Sequence, residues 1–201
     1  MDEKDRGPRV TSETRDKVEA AALQAFELYG IGRVRVEDVS RLAGVSRPTV
    51  YRVFPDREAL VEAIFIRAGL DLNAQIHAAL DVDLATEDAL VGIFRETFVY
   101  YEANPHRQTL MQQPGLNDVS AQAARSEALR AVFAARWSPY LSRARARGLL
   151  RDDVTDEEII RWFTVQGASF MIHGRLLGGT LDALLHSYRR FVVYAALKRD
   201  R

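Results

Sequence analysis

Arg47, Thr49, Tyr51 and Arg52 stand close together in the chain and carry side chains able to read nucleic acid. An arginine fork pairs with guanine O6 and N7, while threonine and tyrosine hydroxyls bind base edges or phosphate oxygens. Between Ile31 and Arg57, six arginines (Arg33, Arg35, Arg41, Arg47, Arg52, Arg57) face three acids (Glu37, Asp38, Asp56), a local balance of +3. Over the whole chain 28 basic and 28 acidic residues cancel. The positive charge is therefore local, which suits one duplex contact rather than general coating of nucleic acid.

The neighbours of these residues supply the means to position them. Ser46 offers an oxygen to cap a helix, and Pro48 fits its first turn, where a missing N–H costs nothing. Val50, Val53 and Phe54 give that helix an inward side. Just upstream, Val36, Val39, Ser40 and Ala43 recur at helical spacing, and Gly44 stands where that helix must end in the left-handed conformation. Two short helices joined by a glycine-containing turn form a helix-turn-helix, whose second helix enters the major groove. An ordinary helical hairpin with a solvated basic face would show the same pattern over residues 36–54.

The surrounding residues make the pattern more specific. Ala21, Phe26, Gly30, Val39, Ala43-Gly44-Val45-Ser46, Thr49, Tyr51, Phe54-Pro55, Arg57, Glu58, Ala59 and Leu60 resemble the TetR family of bacterial transcription regulators, over residues 14–63. The resemblance implies an all-α protein: a three-helix DNA-binding head, then a larger helical body for ligand binding and dimerisation. It also implies control of transcription at an operator. Arg47, Pro48, Thr49 and Arg52 would read the groove, Arg35, Tyr51 and Arg57 would hold phosphates, and the capping residue Ser46 completes the set of DNA-binding candidates. The chain departs from the family at Arg35, where Thr or Ser usually caps the second helix, and at Ser40, usually alanine. It departs again at Val53, often His or Tyr on a phosphate, and at Arg57, usually Lys. The grip on the backbone is thus expected from flanking arginines and from the N-terminus of the helix after Asp56.

Hydrophobic residues make up 47% of the 201 residues, enough for a sizeable core. Cysteine is absent, which excludes disulfides and thiolate chemistry. No secretory h-region and no membrane-length apolar run is present, so the reading is cytoplasmic with no membrane partner. Residues 1–10 read as a charged tail, with Lys4, Arg6 and Arg9 available as an arm along the duplex. Helices are predicted from Thr11 or Ser12 to Tyr29, then over residues 36–43, 47–54, 57–80 and 86–103, and near 106–111. Three more follow, from 118 or 120 to 147 with Pro139 inside, over 155–177 and over 180–198, about nine in all. The boundaries predicted are a tail to residue 10, a head over 11–56 and a body over 57–201.

In the body, Phe94, Phe98, Tyr101, Trp137, Trp162 and Phe170, with Gln166, are candidates for an aromatic-lined pocket. Phe163, Met171 and His173 lie among them, and a hydrophobic small molecule is the effector class this composition suits. Plain core packing is the alternative for each of these side chains. Residues 191–197 are apolar all round, and Gly167 and Gly174 permit close helix approach. Gly167, Gly174, Leu184, Tyr188, Phe191, Val192 and Ala195 are therefore candidates for a homodimer interface. Dimeric heads would meet half-sites about 34 Å apart in a palindromic operator. The four histidines (His77, His106, His173, His186) show no metal-ligand spacing, and no cofactor motif or nucleophile–base pair is present. The reading is a ligand-responsive repressor and not an enzyme. An activator, a protein-interaction module and a small-molecule-handling enzyme remain the alternatives.

Overall fold

The computed structural model describes residues 11–81, 83–84, 86–104, 107 and 126–198. The expected arm at residues 1–10, the helix near 106–111, the turn at 112–115 and the first turns of the helix from 118 or 120 lie outside these residues. Among the described residues there are eight α-helices and no strand. They divide into two compact units, one reaching Ala68 and one starting at Gly69.

The first unit holds α1 (Ser12–Tyr29), α2 (Val36–Ala43), α3 (Arg47–Val53) and the first turns of α4 (Arg57–Ala79). Those turns extend the head beyond the boundary at residue 56 expected from sequence, because Leu60, Val61, Ile64 and Phe65 are buried. Thr11 starts α1 by accepting from the Thr14 N–H at 3.2 Å. Val18, Ala22, Ala25 and Phe26 are then wholly buried on one face, and α1 packs on α2 and α3. Arg35 precedes α2 without any side-chain cap, as its departure from threonine predicts. Gly44 closes α2 at φ 66°, a conformation glycine adopts without a Cβ clash. The Ser40 hydroxyl donates to the Val45 carbonyl at 2.6 Å, so this small residue ties the turn as well as fitting it. Ser46 caps α3, accepting from Thr49 N–H at 3.4 Å.

The second unit holds the rest of α4 with α5 (Thr86–Ala103), α6 (Glu127–Ala146), α7 (Asp156–His173) and α8 (Leu181–Tyr188). α6 packs on α5 and α7, and α8 packs on α5 and α7. Leu72, Ile76, Leu90, Ile93, Leu141, Phe163 and Tyr188 form its centre. Thr155 and Glu158 make the predicted capping box: Thr155 N–H donates to Glu158 Oε2 at 2.8 Å, and Glu158 N–H donates to Thr155 Oγ1 at 3.2 Å. Pro139 lies inside α6 with no break in the helix.

The C-terminal third needs two corrections. The helix predicted to Leu177 ends as an α-helix at His173, and Gly174–Leu177 is a 3₁₀ turn. The helix predicted over 180–198 stops being α-helical after Tyr188, where Arg189–Val193 widens into a π turn. The extra residue per turn brings both Val192 and Val193 inward, with Ala196 after them. The chain then pairs with the loop after α6 instead of coiling on. Arg151 N–H donates to Ala196 O at 3.0 Å and Lys198 N–H to Leu149 O at 2.8 Å.

Candidate functional site

The head presents α3 to solvent. Val50 and Val53 face inward, which turns Arg47, Pro48, Tyr51 and Arg52 outward and leaves Thr49 half-buried. Arg47 is held loosely by Glu37 at 3.3 Å, and Arg52 Nη2 donates to Thr49 Oγ1 at 3.0 Å. Exposed pairs of this kind contribute little and exchange readily for a phosphate or a base edge. Ser46 and Thr49 share a hydroxyl contact of 2.9 Å, so Ser46 acts as the cap of the reading helix. Arg35 is exposed at the start of α2.

Arg57, exposed at the start of α4, is also tied into the head. Its Nη1 donates to Val34 O at 3.2 Å and its Nη2 to Ile31 O at 2.5 Å. The fork thus clamps the loop between α1 and α2 onto the start of α4. The N-terminus of α4 was expected to favour phosphate, but Asp56 already accepts the Ala59 N–H there at 2.8 Å. A carboxylate cap satisfies the amide and cancels part of the positive end of the helix.

In the body, a cavity of about 40 Å³ lies among α5, α6, α7 and α8. Phe94, Tyr101 and Trp137 line it, as expected from sequence, and so do Phe163 and Met171. Phe170 stands behind the wall, edge-on to Phe94 at 6.0 Å and to Tyr188 at 5.5 Å. Phe98 packs half-buried on the core outside the lining. Trp162 and Gln166 do not line the cavity. Trp162 is 41% exposed and donates its Nε1–H to Val192 O at 3.3 Å. The face of α7 turned inward carries Phe163, Thr164, Gly167, Ala168 and Met171, one step round the helix. Apolar residues on both faces of α7 hid that phase in the sequence.

The dimer candidates also divide. Leu184, Tyr188 and Val192 are buried within the unit, so they are core residues of the single chain rather than part of a free face. Gly174 serves the same core: a Cβ there would lie 2.9 Å from Leu184 Cδ2. Gly167 and Tyr188 line the cavity. Phe191, 66% exposed, and Ala195 remain on the surface, and Tyr194 lies between them in sequence.

Arg136 was not anticipated from sequence. It lines the cavity at 8% exposure. Its Nε donates to Asn73 Oδ1 at 2.8 Å, and Asn73 Nδ2 donates to Val132 O at 2.8 Å. Its guanidinium lies 5.4 Å from the Phe133 ring centre. Among the described residues no carboxylate pairs with it. Burial pulls the guanidinium down to about 10, with the nearby Tyr101 acting weakly the other way. A fall of that size from 12.5 means a desolvation cost on the order of 3 kcal/mol for holding the charge at neutral pH. The only sequence signal was an arginine on the inward stripe of an aromatic-rich helix.

Comparison with known proteins agrees with the geometry of the head. Residues 20–64 match the family described as bacterial regulatory proteins, tetR family. The HTH-type transcriptional repressor NicS of Pseudomonas putida is 30% identical over 145 residues, covering 70% of this chain and 68% of that one. The HTH-type transcriptional regulator AlkX of Mycobacterium tuberculosis is 33% identical over 73 residues, covering 36% of this chain and 35% of that one. Among solved structures, a TetR family protein from Vibrio parahaemolyticus superposes with TM-score 0.61 at 19% identity, covering 92% of this chain and 100% of that one. A TetR-family regulator from Haemophilus influenzae also gives TM-score 0.61, at 14% identity, over 95% of this chain and 100% of that one. The chain belongs to the tetR family of bacterial regulatory proteins and is a DNA-binding transcription regulator.

Proposed function

We propose that the chain is a homodimeric repressor that leaves a palindromic operator when a hydrophobic small molecule enters its body. The observation that carries this reading is the outward face of α3, where Arg47, Pro48, Tyr51 and Arg52 stand exposed on a helix braced by α1 and α2. Arg47, Thr49 and Arg52 read bases, and Arg35 and Tyr51 hold phosphates. Repression is favoured by the description of NicS as a repressor. Dimerisation is supported by exposed apolar residues on α7 (Trp162, Val165, Ile172) and after α8 (Phe191, Tyr194), since a monomer gains nothing by showing them to water.

The cavity supplies the effector site in this reading. Asn73 on α4 holds Arg136 at the cavity, and α4 also carries Arg57, the clamp of the head. A ligand that displaces Arg136 therefore acts on a helix shared by both units. It lowers operator affinity only by as much as it prefers the state that does not bind DNA.

Selection of bound duplexes from a random pool tests the reading. The expected product is a palindrome with half-sites one helical turn apart, and binding that weakens steeply with salt. Enrichment of no sequence, or of single half-sites only, would overturn it.

A further inference from the structure

We infer that the cavity takes a small aromatic monocarboxylic acid, with Arg136 holding the carboxylate. This rests on the reading of the body as an effector site and specifies its ligand. Three side chains that line the cavity have polar hydrogens without a full set of partners. The Arg136 guanidinium spends its Nε on Asn73 and meets no acid among the described residues. Trp137 Nε1 and Tyr188 OH are buried with no hydrogen-bond partner among the described residues. Trp137 is 4% exposed and Tyr188 wholly buried, so water does not serve them freely. Thr97 and Thr164, the two threonines of the lining, donate to their own helices, to Ile93 O at 2.7 Å and Ile160 O at 2.8 Å, and the Tyr101 hydroxyl lies on the lining near Arg136.

Each of the free groups can donate, and the Tyr188 hydroxyl can also accept. An indole N–H donates only, and a guanidinium has no acceptor. A buried donor left unmade is costly, and a buried charge left unpaired more so. The complementary ligand brings acceptors and one negative charge. A single cation matches a carboxylate, whereas a phosphate dianion would leave a charge over. No Asp or Glu lines the cavity to repel it. The remaining wall is aromatic: Trp137 and Phe163 have ring centres 4.9 Å apart, and Phe94 stacks on Tyr188 at 4.1 Å. Such walls favour a flat ring over a chain of methylenes.

The volume sets how the ligand acts. A cavity of about 40 Å³ holds the polar head of such an acid but not its ring. An apolar cavity of about 150 Å³ is known to take up benzene. Entry must therefore move wall side chains, of which Met171 is the most pliant, and the liganded body differs from the unliganded one.

Trp137 fluorescence in full-length Trp162→Phe protein provides the test, with benzoate, phenylacetate and cinnamate each set beside its amide, up to millimolar concentration. At least one acid should give saturable binding tenfold or more tighter than its amide. Arg136→Gln keeps a donor for Asn73 but loses the charge. It should weaken that acid by roughly 30-fold or more while leaving the amide unchanged. Arg136→Lys should recover part of the preference. Equal binding of acid and amide, hexanoate binding better than every aromatic acid, or no saturable acid would overturn the inference. Should Arg136→Gln not fold, the acid–amide comparison and Arg136→Lys still decide it. Operator release is measured separately. An acid that binds without releasing duplex keeps this inference and removes the effector reading, and release by the neutral amides alone does the reverse.

Discussion

Arg47 and Arg136 carry the same guanidinium in opposite surroundings. The Arg47 side chain is 63% exposed beside Glu37 on the reading helix, and Arg136 is 8% exposed among aromatic rings in the body. The first is hydrated at no cost to folding. It can leave one carboxylate for a phosphate or a guanine, and salt screens whatever it binds. The second is held at a cost and gains only from a partner that fits inside. Position converts one residue type into a contact for a long polymer on the surface and into a demand for one small anion in the core.

Removing the support of one region should leave the other intact. Phe26 is wholly buried in the head. Phe26→Ala should cost about 3–5 kcal/mol in the head. Duplex binding should disappear while binding of an aromatic acid persists, as read by denaturant titration alongside Trp137 fluorescence. Loss of both together would show that the two regions fold as one.

Smaller changes separate reading from bracing. Arg47→Ala should cost about 1–3 kcal/mol on the selected operator and relax preference at one base, with the melting temperature unchanged. Arg57→Ala should lower affinity for all duplexes and also destabilise the head by about 1–3 kcal/mol, because Ile31 and Val34 carbonyls lose their donor. A duplex effect with unaltered thermal stability would return Arg57 to a direct phosphate role.

Conditions distinguish the two arginines further. Duplex affinity should fall steeply on a log–log plot against salt, and acid affinity hardly at all, since the Arg136 site is screened by protein rather than by ions. Arg136 keeps its proton below about pH 10. Acid affinity should therefore stay level from pH 6 to pH 9 and decline above about 10, where the unliganded guanidinium loses its charge. A decline near neutral pH would point to some other group as the anion's partner.

The gentlest substitution concerns the outer face. Phe191→Glu should change the stability of the single chain by no more than about 0.5 kcal/mol, because the ring is already exposed, while converting dimers to monomers in sedimentation. A surviving dimer would move the interface to another face.

Local chemistry made the head legible. Gly44, Ser46, Pro48 and the alternation of small apolar groups act over three or four residues, and each ends or starts a helix where the sequence says it should. The Thr155–Glu158 box is legible for the same reason. Even in the head, the clamp of Arg57 on Ile31 and Val34 was hidden, since 26 and 23 residues separate the partners. In the body the aromatic richness of α5, α6 and α7 was plain, but its phase was not. Trp162 and Phe163 are adjacent, both apolar, and lie on different faces.

The helical class, α3 and its caps follow from the order of residues alone, because capping and periodicity are contacts between near neighbours in the chain. Packing between distant helices makes Tyr188 and Val192 core, and opens the last helix into a π turn before the chain pairs with Leu150. It also turns Arg136 inward to Asn73, 63 residues away. Those outcomes depend on which helix faces lie against each other, and composition leaves that open when both faces of a helix are apolar.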